Sequence, residues 1–216
     1  MEALESTANA VNADKIAILG DSVGYGPNPN EVLSWIRSNA DACVKGNHDE
    51  ATITGNTSWF NHTAASAIAW TRKRITDENL SFLRTLPEIK IWDVSGLRIM
   101  MAHGSPTDPL REYVMENTHH QLFDYYLDRF EVDIIALGHT HFPMAWSSGR
   151  KLIINPGSVG QPRDGDWKSS HTIVEIVDGV PFPTNARIEY DVQRTADKIR
   201  QIGLPNVLAE RLFEGR

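Results

Sequence analysis

The chain has 216 residues, 41% hydrophobic and 23% charged, the balance of an ordinary globular protein with one good core. Its net charge of −7 argues against broad electrostatic binding to nucleic acid or to an anionic membrane surface, both of which need clustered Lys and Arg. No apolar run has the length of a membrane span, no secretory signal opens the chain, and the single cysteine, Cys43, reads as a buried thiol in a reducing compartment, so a cytoplasmic location is expected.

Short apolar runs alternate with helical patterns, which predicts α/β architecture. In chain order the periodicity predicts a helix over 2–12, a strand over 15–19, a helix over 30–38, a strand over 42–45, and helices over 59–73 and 76–85. Thr76 followed by Asp77 and Glu78 starts the last of these, and Pro87 stops it. Strands over 89–94 and 97–102 flank Ser95-Gly96, a tight hairpin turn. A helix over 119–130 and strands over 133–137, 151–154, 171–177 and 187–190 follow, and the chain closes with helices over 192–202 and 205–214, split at Gly203. No repeat or linker divides the sequence, so residues 1–216 are expected as one domain, with 192–216 a helical extension packed on it.

Four of these strands end in groups able to bind a metal. "KIAILGD" ends in Asp21, "ACVKGNHD" in Asn47, His48 and Asp49, "LRIMMAHG" in His103, and "VDIIALGHTH" in His139 and His141. Carboxyl ends of strands are where ligands collect in open α/β sheets, and Gly20, Gly46, Gly104 and Gly138 let the chain turn beside each group. Taken singly, any of these is better read as a turn or core residue; four such events together are hard to assign to chance. Asp, Asn and His together suit Mn, Fe, Co, Ni or Zn better than Mg or Ca. A structural zinc site would call for closely spaced cysteines, which one cysteine cannot supply. His62, His119, His120 and His171 lack this context and are left as surface or packing histidines, and Trp35, Trp59 and Trp70 read as core or interface aromatics.

The successive stretches "GDSVGYGPNPNE", "GNHDE", "AHGSP", "GHTHFP" and "NPGSVGQPRDGD" resemble, in the same order, the motifs of the calcineurin-like metallophosphoesterases, and especially the small bacterial and archaeal phosphodiesterases. The resemblance covers essentially the whole chain. It implies a four-layer α/β/β/α sandwich of two mixed sheets and a metal-dependent phosphodiesterase or phosphatase. The implied centre is dinuclear, with two divalent transition-metal ions, manganese first among the candidates, and a hydroxide held between them. Carried over by motif, Asp21 would bridge the metals. Asn47, His103 and His139 would complete one subsite, and His141 would belong to the other. His48 would face the phosphoryl group, oriented by Asp49. Tyr25 and Arg163 are weaker candidates for substrate contact, the alternatives being a loop wall and a surface ion pair. Asn155 and Ser158 are candidates for orienting ligands from behind. The implied partner is a small phosphoester, with no membrane and no nucleic acid; self-association is left open.

In the resembled family a first strand ends in an Asp-x-His motif and leads into the first helix. "MEALEST" matches that helix, so the strand and its two ligands are expected upstream of Met1, and the chain as written is expected to be impaired and to hold one metal of the two. A start placed too late is favoured over natural decay, because the other ligands and the His48-Asp49 pair are intact. The alternative function is a non-catalytic scaffold or binding protein on a degenerate phosphoesterase fold.

Overall fold

The computed structural model describes all 216 residues, Met1–Arg216. The elements run α1 (Glu2–Ala10), β1 (Ala17–Ile18), α2 (Pro29–Asn39), β2 (Ala42–Cys43), α3 (Asn47–Thr54), α4 (His62–Arg72), α5 (Asp77–Thr85), β3 (Ile89–Val94) and β4 (Leu97–Ala102). They continue with α6 (His120–Phe130), β5 (Ile134–Ala136), β6 (Pro143–Ser148), β7 (Lys151–Pro156), β8 (Ser169–Val177), β9 (Val180–Ile188), α7 (Val192–Gln201), α8 (Val207–Glu210) and a terminal 3₁₀ turn, Arg211–Phe213. No helix is long and apolar enough to cross a membrane.

Strands β3 to β7 form a mixed five-stranded sheet in the order β3-β4-β5-β7-β6. The centre is parallel, and the two outer ladders, β3–β4 and β6–β7, are antiparallel. Parallel strands buried on both faces read as continuous apolar runs, and "LRIMMA", "IIA" and "KLII" do so. One face carries α6, whose Phe123, Tyr126 and Leu127 pack on Met100, Ile135 and Ile153. The opposite face, with Leu97, Met101, Ile134 and Ile154, packs against Val174 and Ile176 of β8 and against Ala42 and Val44. Behind that second layer lie α1 and α7, with α8 and the terminal turn joining α4 through Ala67, Ala196, Ile199, Leu208 and Leu212. The layering is α/β/β/α.

The second β layer is not one ladder. It consists of the parallel pair β1–β2 and the antiparallel hairpin β8–β9. β1 has β2 as its single strand partner. Beside it a cavity of about 490 Å³, mostly apolar, opens between Ala17, Leu19, Ala136, Ile154, Val174 and Ile176. At its polar end the walls close: a Cβ added to Gly138 would lie 2.9 Å from the Leu19 carbonyl.

Several elements are shorter than the sequence predicts, the last helix 205–214 among them, reduced to Val207–Glu210 and a 3₁₀ turn, and three differ more deeply. β9 begins at Val180, not at 187, because Pro181 and Pro183 are accommodated on a strand with a single partner, β8. β6 is an edge strand that starts on Pro143 and has little apolar alternation. α3 grows out of the GNHD stretch itself; His48, Asp49, Ala51 and Thr52 are its buried residues, so polar groups occupy its inner face and no apolar stripe marks it. Trp59 falls in the turn before α4 and is 75% exposed, where Arg111 lies over its ring, so it is not a packed aromatic.

Candidate metal centre

The four predicted strand ends meet at one place. Asp21 follows β1, Asn47 opens α3 just beyond β2, His103 follows β4, and His139 and His141 occupy the loop after β5. The His103 Nε2 lies 3.2 Å from an Asp21 carboxylate oxygen, 3.1 Å from Asn47 Oδ1 and 3.2 Å from His139 Nδ1. One ligand atom from each of Asp21, His103 and His139 falls within 4.8 Å of the other two.

The backbone is bent to make this possible. Asp21, His139 and His141 have φ values of 51°, 65° and 62°, a left-handed region that costs energy for residues with a Cβ and is concentrated at functional sites. Gly46 allows the two halves to close, since a Cβ there would meet Asp21 Oδ1 at 2.1 Å. Asp21 also accepts the His48 amide at 2.9 Å.

The ring protons are assigned by the backbone. A carbonyl oxygen can only accept, so His103 donates Nδ1–H to Leu19 at 2.7 Å, His139 donates Nε2–H to Arg111 at 3.2 Å, and His141 donates Nδ1–H to Gln161 at 2.6 Å. In its neutral form each ring therefore has a lone pair on its other nitrogen, the arrangement that orients metal-binding histidines. For His103 and His139 those lone pairs face each other, the Asp21 carboxylate and the Asn47 oxygen. Acceptors facing acceptors at such distances need a positive charge between them. The donor set of two nitrogens and two oxygens fits a divalent transition cation.

Without a cation, a proton supplies that charge: burial opposes it on His103, yet Asp21 outweighs burial and holds the imidazole above its usual pKa, so a bound cation would displace this proton. Burial would raise Asp21, but His103 and His48 hold it well below the carboxylate range. His139 is pushed down to about 4 by burial and by His103; His141 falls to about 3 by burial and by the Arg163 charge. Both rings are therefore held neutral at pH 7, the form in which imidazole can bind a metal.

His48 stands apart from the lone-pair cluster. Its ring is 5% exposed, wedged between Tyr25 at 4.4 Å and Phe60 at 4.8 Å between centroids. Its Nδ1 is buried without a hydrogen-bond partner. Asp49 makes no hydrogen bond to it: the Asp49 carboxylate accepts the Gly46 amide at 2.9 Å and the Val23 amide at 3.2 Å, so it ties the GNHD turn to the loop after Asp21. That position follows from helix geometry, where an acidic residue in the first turn reaches back to the cap amide. Burial, then repulsion from Asp21, raises Asp49 above the usual carboxylate range.

Asn155, fully buried, donates to the Gly138 carbonyl and to Thr140 Oγ1 and so braces the loop that carries His139 and His141. Ser158 accepts the Gln161 amide at 3.0 Å. Arg163 donates its amide to the His141 carbonyl at 3.3 Å. Sequence reasoning missed Phe60, Tyr113, which stacks 4.0 Å from His139, and Arg211, which lies 4.3 Å over the Tyr25 ring. All three come from segments with no strand-end or motif signal.

The domain model described as the calcineurin-like phosphoesterase superfamily domain matches residues 1–179. An uncharacterized protein of Methanocaldococcus jannaschii is 38% identical over 238 residues, covering all of this chain and 94% of its own. The crystal structure of a metallophosphoesterase from Sphaerobacter thermophilus is 34% identical, with a TM-score of 0.83 over 99% of this chain and 94% of that one. A hypothetical protein from Pyrococcus horikoshii has the same fold, at a TM-score of 0.87 and 18% identity, over 100% of this chain and 94% of its own.

Proposed function

Since the chain belongs to the calcineurin-like phosphoesterase superfamily, we propose that it hydrolyses a small phosphoester, diester or monoester, at a centre built for two divalent cations, manganese first among them. The observation that carries this reading is the set of facing lone pairs on Asp21, Asn47, His103 and His139, with the opposite ring nitrogens donated to the Leu19 and Arg111 carbonyls. Divalent cations, when bound, supply a water acidified towards neutrality and a clamp on the phosphoryl oxygens.

The residues divide the remaining work. Asp21, Asn47, His103 and His139 hold one cation, and Asp21 and His141 contribute to the second. His48 faces the phosphoryl group, with a ring nitrogen free to stabilise developing charge or to pass a proton to the leaving oxygen. Tyr25 and Phe60 fix its plane, while Asp49 sets its height through the Gly46 and Val23 amides. Tyr25 and Arg163 border the substrate.

In these 216 residues the second subsite has two protein ligands, so we read the chain as written as a weak enzyme that holds one cation. The cavity beside β1 supports a missing strand there, ending in the Asp-x-His pair, because it is apolar and opens along a strand with one partner. The same shortfall favours the scaffold reading as a second possibility. The test is to count metals and to assay an aryl phosphodiester with Mn, on this chain and on a form extended by such a strand. We expect one metal and weak hydrolysis in the first, two metals and strong hydrolysis in the second. Two tightly held metals and full activity in the unextended chain would refute the impairment. Failure of the extended form to hydrolyse any phosphoester would move the scaffold reading ahead.

A further inference from the structure

The last turn of the chain places a guanidinium beside the candidate centre. Arg211 sits in the 3₁₀ turn Arg211–Phe213, which is anchored by Leu208, Ala209 and Leu212 in the cluster with Ala67, Ala196 and Ile199. Its side chain runs inward over Tyr25, the ring that walls His48. Its Nε and Nη2 are buried and have no hydrogen-bond partner, a condition shared by no other Lys or Arg of the chain. Buried N–H groups on a cation are costly to leave unpaired.

No carboxylate of the neighbouring segments answers it. Asp164 is held by Arg187, Glu214 by Arg216, and Asp166 accepts the Lys168 amide at 3.0 Å. A second cation lies in the adjoining segment instead: Arg163, which forms no ion pair, is fixed by its amide to the His141 carbonyl at 3.3 Å. The segments carrying the two arginines are fastened together, for Gly165 donates its amide to the Gly215 carbonyl at 3.0 Å. A Cβ on Gly215 would meet the Asp166 backbone at 2.6 Å. The fold thus holds Arg163 and Arg211 in joined segments beside Tyr25 and His48, with no carboxylate paired to either guanidinium.

We infer that Arg211, with Arg163, forms an anion subsite next to the metal centre, which receives a second negatively charged group of the substrate, a phosphate or carboxylate remote from the phosphoryl being cleaved. This rests on the phosphoesterase reading and narrows it to substrates that carry two anionic groups. Guanidinium recognises such groups by paired, charge-assisted N–H···O bonds, which ammonium cannot reproduce in full.

The experiment uses inorganic phosphate as the probe and the whole chain without added metal, so that it reads the subsite and not hydrolysis. In the unmutated chain, phosphate should slow labelling of Arg211 by phenylglyoxal, read by mass spectrometry, and leave exposed Arg84 unaffected. By calorimetry, Arg211→Gln should weaken phosphate binding about tenfold or more, and Arg211→Lys should recover part of it. Unchanged labelling of Arg211, or equal phosphate affinity in Arg211→Gln, would overturn the inference. Should Arg211→Gln fail to fold, the labelling of the unmutated chain decides. If the subsite holds phosphate while Mn supports no hydrolysis in any form, the phosphoesterase reading fails and the subsite stands.

Discussion

The candidate centre rests on two foundations of unequal strength. His103 and His139 project from the five-stranded sheet, whose Met101, Ile135 and Ile153 are fully buried and whose outer ladders pair six residues each. Asp21 and Asn47 project from the β1–β2 pair, a ladder two residues long with a cavity at its side. The residue expected to bridge two cations is thus carried by the least supported strand. The lesson is that a cation bound at the candidate centre would join two layers as well as serve the proposed chemistry. Bound between Asp21 and the two histidines, it would replace the proton that Asp21 favours on His103 by bonds that cross from one sheet to the other.

The comparison is broken most completely by removing its shared member. Asp21→Ala should abolish tight cation binding and activity together, as read by metal analysis and phosphodiester assay, because both subsites use that carboxylate. A mutant that keeps a full metal complement would show that the β1 side is not needed.

His48→Ala should separate chemistry from cation holding. In an active form, turnover should fall about 10²–10⁴-fold, typical of a lost acid or charge-stabilising group. Metal content should stay unchanged, since His48 is not among the facing lone pairs. Loss of metal alongside activity would place His48 in the wrong role.

Hydrogen exchange should then sharpen the contrast between the sheets. Without metal, amides of Ala42 and Val44 should exchange well before those of β4 and β5. A cation at 100 times its dissociation constant adds about 2.7 kcal/mol, or roughly a 100-fold slowing of any opening that releases it. Equal protection of the two sheets in the metal-free chain would remove the asymmetry.

The smallest effect concerns Cys43, at the end of β2. Burial, with help from Asp49, pushes its thiol up to about 12. The unfolded thiol ionises from about pH 8.5. Below that value both states are neutral and no stability is lost. Above it the unfolded state releases a proton that the folded state keeps, so stability should fall as pH rises, by at most about 1.4 kcal/mol per unit. At pH 8 the folded chain should react slowly with iodoacetamide, and chelation should speed the reaction if the β1–β2 pair loosens. Fast alkylation of the metal-loaded chain would contradict the burial.

Much of this was legible in the sequence because it depends on neighbours a few residues apart. The hairpin over 89–94 and 97–102 was readable to the residue, since alternating and apolar runs bracket Ser95-Gly96 and the register follows from the turn. The ligand residues were visible as polar groups beside glycine at the ends of apolar runs, a pattern that requires no knowledge of what they face. Where local cues conflicted, the reading failed. Prolines 181 and 183 hid half of β9, and buried polar groups hid α3.

What the sequence by itself determined, then, is the α/β order of elements and the attachment of the candidate ligands, Asp, Asn and His, to strand ends, because periodicity and turn chemistry act over a few residues. Only the tertiary structure decided which ring nitrogen of each histidine is free, since the carbonyls of Leu19, Arg111 and Gln161 lie far along the chain from the rings they fix. It also decided that Asp49 holds backbone amides and not His48, and that Arg211 is buried without an anion. Proton placement, desolvation and unpaired charge depend on groups that packing brings together from distant segments, and no local pattern records them.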